Sequence, residues 1–232
     1  KKRLEHSNDW LCYAKIFIER PMACGYSIHQ RSIGQTLRTL WFSIYWVSIC
    51  APQTLFLTQL KVMKIGNFDT DKKVLIIAEI GNNHEGDYSL AKELVSLAAE
   101  ARADAVKFQY IIPEKLISPT DRSRIEQLNR FKLKEQDYIK LAEEANRLGM
   151  LFLCTPFDLS VIDFLKELVP AFKIASGDNN FFPLIDKIAK TGKPVITSLG
   201  LGQTIHAQKL QEYFFEKWKQ LGHPNPGLGL LH

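Results

Sequence analysis

Eight residues of this chain carry side chains that hold anions or move protons: Glu79, Lys107, Gln109, Thr155, Lys173, Ser176, Asp178 and Ser198. They recur at equivalent places, at or just after the ends of short apolar runs. Two lysines with short hydroxyls beside them suit a small ligand bearing phosphate and carboxylate groups, because charge-assisted hydrogen bonds are strongest in a partly desolvated pocket. Glu79 and Asp178 then serve to bind sugar hydroxyls or to transfer protons. A single lysine at a strand end is more simply a surface charge or half of an ion pair. Five polar strand ends in register are harder to account for in that way.

The histidines offer less. His84 reads as a loop residue bonding the backbone around Asn82 and Asn83, while His206 and His223 read as solvated. No two histidines have ligand spacing, so no metal site is visible. Gly200-Leu201-Gly202 puts Ile205 where a dinucleotide fingerprint needs its third glycine, and no GxxxxGK[ST] phosphate loop occurs.

These residues are placed by an alternation that begins after Met63. Apolar, β-branched runs at residues 74–78, 105–109, 151–155, 171–175 and 194–198, with a sixth opening at 229–232, predict strands buried on both faces. Between them lie helical periods: one from Leu90 to Ala101 behind an Asp87 or Ser89 cap, then residues 135–148 ending at Gly149, 161–168, 184–190 and 207–220. Strand–helix alternation predicts a parallel α/β sheet. Polar groups at the C-terminal ends of several different strands converge in a TIM (β/α)8-type barrel, whereas a doubly wound sheet needs them only beside its switch point. The expected fold is therefore a TIM barrel truncated after the start of its sixth strand.

Of 232 residues, 46% are hydrophobic and 24% charged, enough apolar material for one sizeable core, which excludes disorder. The net charge of +5 resides entirely in residues 1–62, where eight basic residues face three acidic ones. The remaining 22 and 22 balance, so no polyanion-binding face is implied there. Cys154 sits in an apolar run and no CxxC occurs; it reads as a buried hydrophobe in a reducing, cytoplasmic compartment. Residues 1–62 show no sustained period. Their uncharged run at 39–60 is interrupted by Pro52, Gln53, Thr54, Thr58 and Gln59, which weakens a membrane-anchor reading. Since the ordered pattern starts only at Met63, this stretch is expected to be an extension outside the natural domain, leaving 63–232 as a partial barrel domain.

Several segments together resemble the sialic acid synthase (N-acetylneuraminate synthase) family: Ile77-Ala78-Glu79-Ile80-Gly81-Asn82-Asn83-His84-Glu85-Gly86-Asp87, Ala103-Asp104-Ala105-Val106-Lys107-Phe108-Gln109, Thr155-Pro156-Phe157-Asp158 and Phe172-Lys173-Ile174-Ala175-Ser176-Gly177-Asp178. Thr191-Gly192-Lys193-Pro194-Val195-Ile196 and Leu230-Leu231-His232 continue the likeness in the same order, over about residues 63–232. The resemblance implies a C–C bond-forming transferase that condenses phosphoenolpyruvate with an N-acetylated hexosamine, N-acetylmannosamine in the sialic acid case, releasing phosphate. It implies catalytic roles for Glu79, Lys107 and Lys173, substrate binding by Gln109, Thr155, Ser176, Asp178 and Ser198, and a homodimer.

It also implies a divalent metal, Mn or Mg, whose ligands, like an antifreeze-like domain, are expected beyond His232; the chain alone is expected to be inactive. Two departures, Asp178 where Glu is found and Leu199 where Thr is common, bear on the identity of the sugar. Legionaminic or pseudaminic acid synthases, another phosphoenolpyruvate- or pyruvate-using barrel, and a membrane-associated binding protein are the competing readings.

Overall fold

The computed structural model describes residues 63–200, 202 and 204–231, together with the backbone alone of two strands, β1 (Tyr13–Ile18) and β2 (Trp41–Trp46). A short antiparallel hairpin, β3 (Lys64–Ile65) and β4 (Phe68–Asp69), is followed by six parallel strands: β5 (Ile76–Gly81), β6 (Ala105–Tyr110), β7 (Leu151–Pro156), β8 (Phe172–Ile174), β9 (Val195–Ser198) and β10 (Leu228–Leu231). They lie side by side in chain order, β5 to β10, with no reversal. A doubly wound sheet needs a switch point where the order turns back; a sheet wound in one direction is the TIM barrel's. The fold is therefore α/β, six consecutive strands of a TIM barrel with helices on the outside.

The strand runs alternate cleanly. On β6, Val106, Phe108 and Tyr110 face the helices, and Ala105, Lys107 and Gln109 face the interior; on β7 the outward pair is Phe152 and Cys154. The outer core joins these to α1 (Tyr88–Glu100), α4 (Glu135–Arg147), α5 (Ile162–Leu168), α6 (Phe182–Ala189) and α7 (Thr204–Gln220). Phe108 and Phe152 stack at 5.5 Å between centroids and are fully buried. Burying such a ring contributes roughly 2–3 kcal/mol. Helix α1 begins where Asp87 Oδ1 accepts from the N–H groups of Ser89 and Leu90 at 2.7 and 3.2 Å, and α4 begins where Asp137 reaches back to the Lys134 N–H at 3.0 Å.

The interior face carries a second core. Ile77, Ala105, Leu153, Ala171, Ile196 and Leu231 fill the lower interior, and Met63, Ile65, Phe68 and Leu75 pack beneath them. The hairpin thus closes the N-terminal end of the strands. A Cβ on Gly227 would lie 2.8 Å from Met63 Cγ, so the chain passes directly over this plug.

The structure adjusts several expected boundaries. Strand β5 runs from Ile76 to Gly81 rather than from 74 to 78, and Asp104 holds its start by accepting from the Ile76 N–H at 2.9 Å. Helix α7 begins at Thr204, three residues early, and α6 at Phe182. Two helices, α2 (Pro113–Leu116) and α3 (Arg122–Arg130), occupy the long connection after β6 that the sequence left unassigned. A short 3₁₀ turn, Leu159–Val161, precedes α5.

The absence of a strand period in residues 1–62 does not hold for β1 and β2. Their backbones pair in parallel, and β1 pairs antiparallel with the outer edge of β5, Ile16 opposite Ala78, so that edge is not left open. Residues 41–46 of the apolar run form a strand rather than part of a helix, and the rest of that run lies outside the described residues. Among the described residues no helix is long and apolar enough to cross a membrane.

Candidate active site

Above the apolar interior layer, the same inward positions turn polar. Two residues beyond Ile77 stands Glu79, two beyond Ala105 stands Lys107 with Gln109 next, two beyond Leu153 stands Thr155, and two beyond Ile196 stands Ser198. The period of two keeps all of them on the inner face, and the parallel register sets their heights: Lys107 is paired with Glu79, and Gln109 with Thr155.

Lys107 Nζ lies 2.5 Å from Glu79 Oε2, with side chains only 7% and 13% exposed. Lys173 is 5% exposed; its ammonium donates to Ser198 Oγ at 2.6 Å and to its own strand at Ile174 O at 2.9 Å. Burial pulls the Lys173 ammonium from its ordinary 10.5 down to about 8; the Glu79 carboxylate opposes the fall and the Lys107 charge adds to it. Among the strand-borne groups, two cations and one carboxylate thus leave one positive charge in excess. An anion with several acceptor oxygens would neutralise it and recover the cost of burying Lys173.

Glu79 is followed by a bulge in β5, with Gly81 at φ +59, and the Gln109 side-chain oxygen lies 3.8 Å from where a Cβ at Gly81 would stand. Glu79 with Lys107, and Lys173 with Ser198, form two directly bonded pairs that act on each other electrostatically. Gln109 is half-buried and Thr155 buried on the same inner face. Ser176 and Asp178 lie in the β8–α6 loop, Ser176 exposed and Asp178 half-buried. Asp178 Oδ2 is buried without a hydrogen-bond partner, and burial pushes its carboxyl up from the ordinary range. Gly200, at φ +61, lets the β9–α7 turn approach Ser176: an added Cβ would sit 3.0 Å from Ser176 Cβ.

His84 bonds the backbone of its own loop, as expected, its Nδ1 accepting from the Gly86 N–H at 3.1 Å, and it is fully buried; the expectations for the other two histidines change. Burial lowers His84 to about 4, against the opposing Gly81 carbonyl and Asp87. His206 is not solvated but half-buried, its Nε2 3.1 Å from Asn179 Oδ1. His223 is half-buried, packed over Gly192 with Nε2 3.3 Å from Lys190 O. Cys154 is fully buried, as expected, and its thiol is pushed up to about 12 by that burial. Asn179, buried and bonded to both Ser198 O and Leu199 O, has no sequence signal: one Asn of an Asn-Asn pair reads as loop. Among the described residues no group of three His, Cys, Asp or Glu side chains is arranged to hold a metal. The described residues by themselves thus do not supply the ligands of the divalent metal that the resemblance implies.

The NeuB family model matches residues 94–220. The uncharacterized protein MJ1065 of Methanocaldococcus jannaschii is 44% identical over 156 residues, which is 65% of this chain and 46% of that protein. The N,N'-diacetyllegionaminic acid synthase of Campylobacter jejuni is 39% identical over 144 residues, 56% of this chain and 43% of that protein. The chain thus spans less than half the length of these two curated relatives. Among solved structures, the N-acetylneuraminic acid (sialic acid) synthetase of Leptospira borgpetersenii, in complex with citrate, superposes with a TM-score of 0.62 at 27% identity, covering 73% of this chain and 59% of that one.

Proposed function

Since the chain belongs to the NeuB family, we propose that residues 63–231 hold the phosphoenolpyruvate site of a synthase that joins phosphoenolpyruvate to an N-acetylated hexosamine, forming a nonulosonic acid of the sialic type and free phosphate. The observation that carries this reading is the excess of one positive charge in a buried mouth, made by Lys107 and Lys173 around Glu79. Phosphoenolpyruvate brings a phosphate and a carboxylate on adjacent atoms, and two cations with hydroxyls from Thr155, Ser176 and Ser198 can take both.

In the proposed reaction the enol carbon, C3 of phosphoenolpyruvate, forms a bond to the aldehyde carbon of the open-chain sugar. Water adds at C2, and the C2–O bond to phosphate breaks as phosphate departs. Lys107 and Lys173 hold and screen the anion before and after that cleavage. Glu79, on the same inner face as Lys107, is placed to accept a proton from the attacking water or from a sugar hydroxyl. Gln109 faces the sugar one layer higher.

Asp178, half-buried with Oδ2 lacking a hydrogen-bond partner, offers an acceptor to a sugar hydroxyl. The sugar itself is a second choice within the same chemistry. N-acetylmannosamine is the first choice, and the N,N'-diacetyllegionaminic acid synthase among the relatives supports a sugar with a further acetamido group as the second.

Calorimetric titration with phosphoenolpyruvate at pH 7 tests the reading. Binding that falls at least about thirtyfold in Lys107→Met and in Lys173→Met is expected, from the loss of one charge-assisted contact set. Undetectable binding by the parent chain, or parent-like binding by both variants, refutes it.

A further inference from the structure

Asn179 and His206 take no part in the chemistry above, yet they join two of the elements that carry it. Asn179, 7% exposed, lies in the β8–α6 loop three residues after Ser176. Its Nδ2 donates across to the β9–α7 turn, to Ser198 O at 3.1 Å and Leu199 O at 3.3 Å. An amide has two N–H donors on one atom and only acceptor capacity on the other. Two carbonyl partners therefore fix Nδ2 toward the turn and leave Oδ1 facing His206 Nε2 at 3.1 Å, so the imidazole must present N–H on Nε2. The turn so held carries the Ser198 hydroxyl that accepts from Lys173, and at Gly200 it presses against Ser176.

We propose that Asn179, oriented by His206, is a positioning residue: it ties the Ser198 turn to the Ser176 loop and so sets the hydroxyl on which the Lys173 ammonium rests. The ligand named in the test rests on the phosphoenolpyruvate reading, but the tie itself does not. Asn179→Leu keeps the branched heavy-atom skeleton and removes both donors. His206→Leu removes the donor that orients the amide, and His206→Gln retains one. The half-buried position of His206 makes its two variants tolerable to the fold even where Asn179→Leu is not.

Two readouts separate positioning from general stability. The first is the rate at which acetic anhydride labels Lys173 at pH 8, followed by peptide mass spectrometry and normalised to the exposed Lys72. The second is affinity for phosphoenolpyruvate. Asn179→Leu and His206→Leu are expected to speed Lys173 labelling and weaken affinity about fivefold each, the scale of one or two lost hydrogen bonds. His206→Gln should match the parent in both. Parent-like labelling in both leucine variants, or a His206→Gln variant as impaired as His206→Leu, overturns the proposal. A parent chain that binds no phosphoenolpyruvate, with the labelling shifts still present, refutes the functional reading and upholds the tie.

Discussion

The Lys173 ammonium is the most expensive feature of the proposed site, and replacing it with methionine should stabilise the fold in a pH-dependent way. Its pKa is about 8 in the folded chain against an ordinary 10.5, chiefly through burial. Between those values the unfolded chain holds a proton that the folded chain has shed, so the parent gains stability as pH rises through this window. At pH 7 the folded form carries the charge at a cost of about 3 kcal/mol; at pH 9.5 the remaining cost is about 1 kcal/mol. Lys173→Met has no such dependence. The variant's advantage over the parent should therefore shrink by about 2 kcal/mol from pH 7 to pH 9.5, and any packing lost to methionine cancels from that difference. Urea unfolding followed by circular dichroism at the two pH values reads it directly: at an m-value of about 2.5 kcal/mol/M, the gap between midpoints should close by about 0.8 M. A gap that stays constant, or widens, refutes the claim that Lys173 is held charged at a cost. The same variant should lose phosphoenolpyruvate binding, so stability and function would move in opposite directions at one residue.

Other perturbations reach different parts of the structure. Glu79→Gln leaves the buried Lys107 charge without its partner at 2.5 Å and should cost about 3 kcal/mol in chemical unfolding at pH 7; a loss below about 1 kcal/mol would mean the pair is solvated. His84, held neutral at about 4 by burial, should cost the parent about 3 kcal/mol of stability as pH falls from 6.5 to 4, since the unfolded chain takes up a proton there that the folded chain refuses. His84→Asn, which can still accept from the Gly86 N–H, should lack that slope in an acid titration of unfolding. Gly200→Ala places a Cβ 3.0 Å from Ser176 Cβ at φ +61; about 1–2 kcal/mol of destabilisation and weaker phosphoenolpyruvate binding are expected, measured by thermal melts and titration.

Most of the strands were legible because burial on both faces makes them read as short apolar runs, and the polar residue in or after a run marks the height at which the interior turns from packing to chemistry. Lys107 and Lys173 stand out for that reason: a cation two residues past an inward alanine has to face inward as well. Helix α3 was not legible because only Leu128 of its nine residues is buried, leaving almost no apolar stripe to detect. The onset of α7 at Thr204 was hidden similarly, its first turn exposed and the first fully buried side chain being Leu210. Asn179 and His206 lay beyond sequence reasoning for another cause. Their partners are main-chain carbonyls and each other, 20 and 27 residues away along the chain, and such bonds leave no periodic or compositional trace. The reading of His84 had the right loop, but burial against Phe108 depends on where that loop folds back, which no local pattern states.

The plug of Met63, Ile65 and Phe68 beneath the strands bears on the kinetics of the proposed reaction. The plug shuts the N-terminal end of the strands, so whatever rests on Lys107 and Lys173 lies above it, on the side of the strands' C-terminal ends. A second reactant stacked above would bar the deeper one from arriving or leaving. In the proposed reaction the phosphorylated partner would then enter first and the bulkier carbohydrate second. Excess carbohydrate that seats itself too early would then act as an inhibitor competing with the deeper reactant.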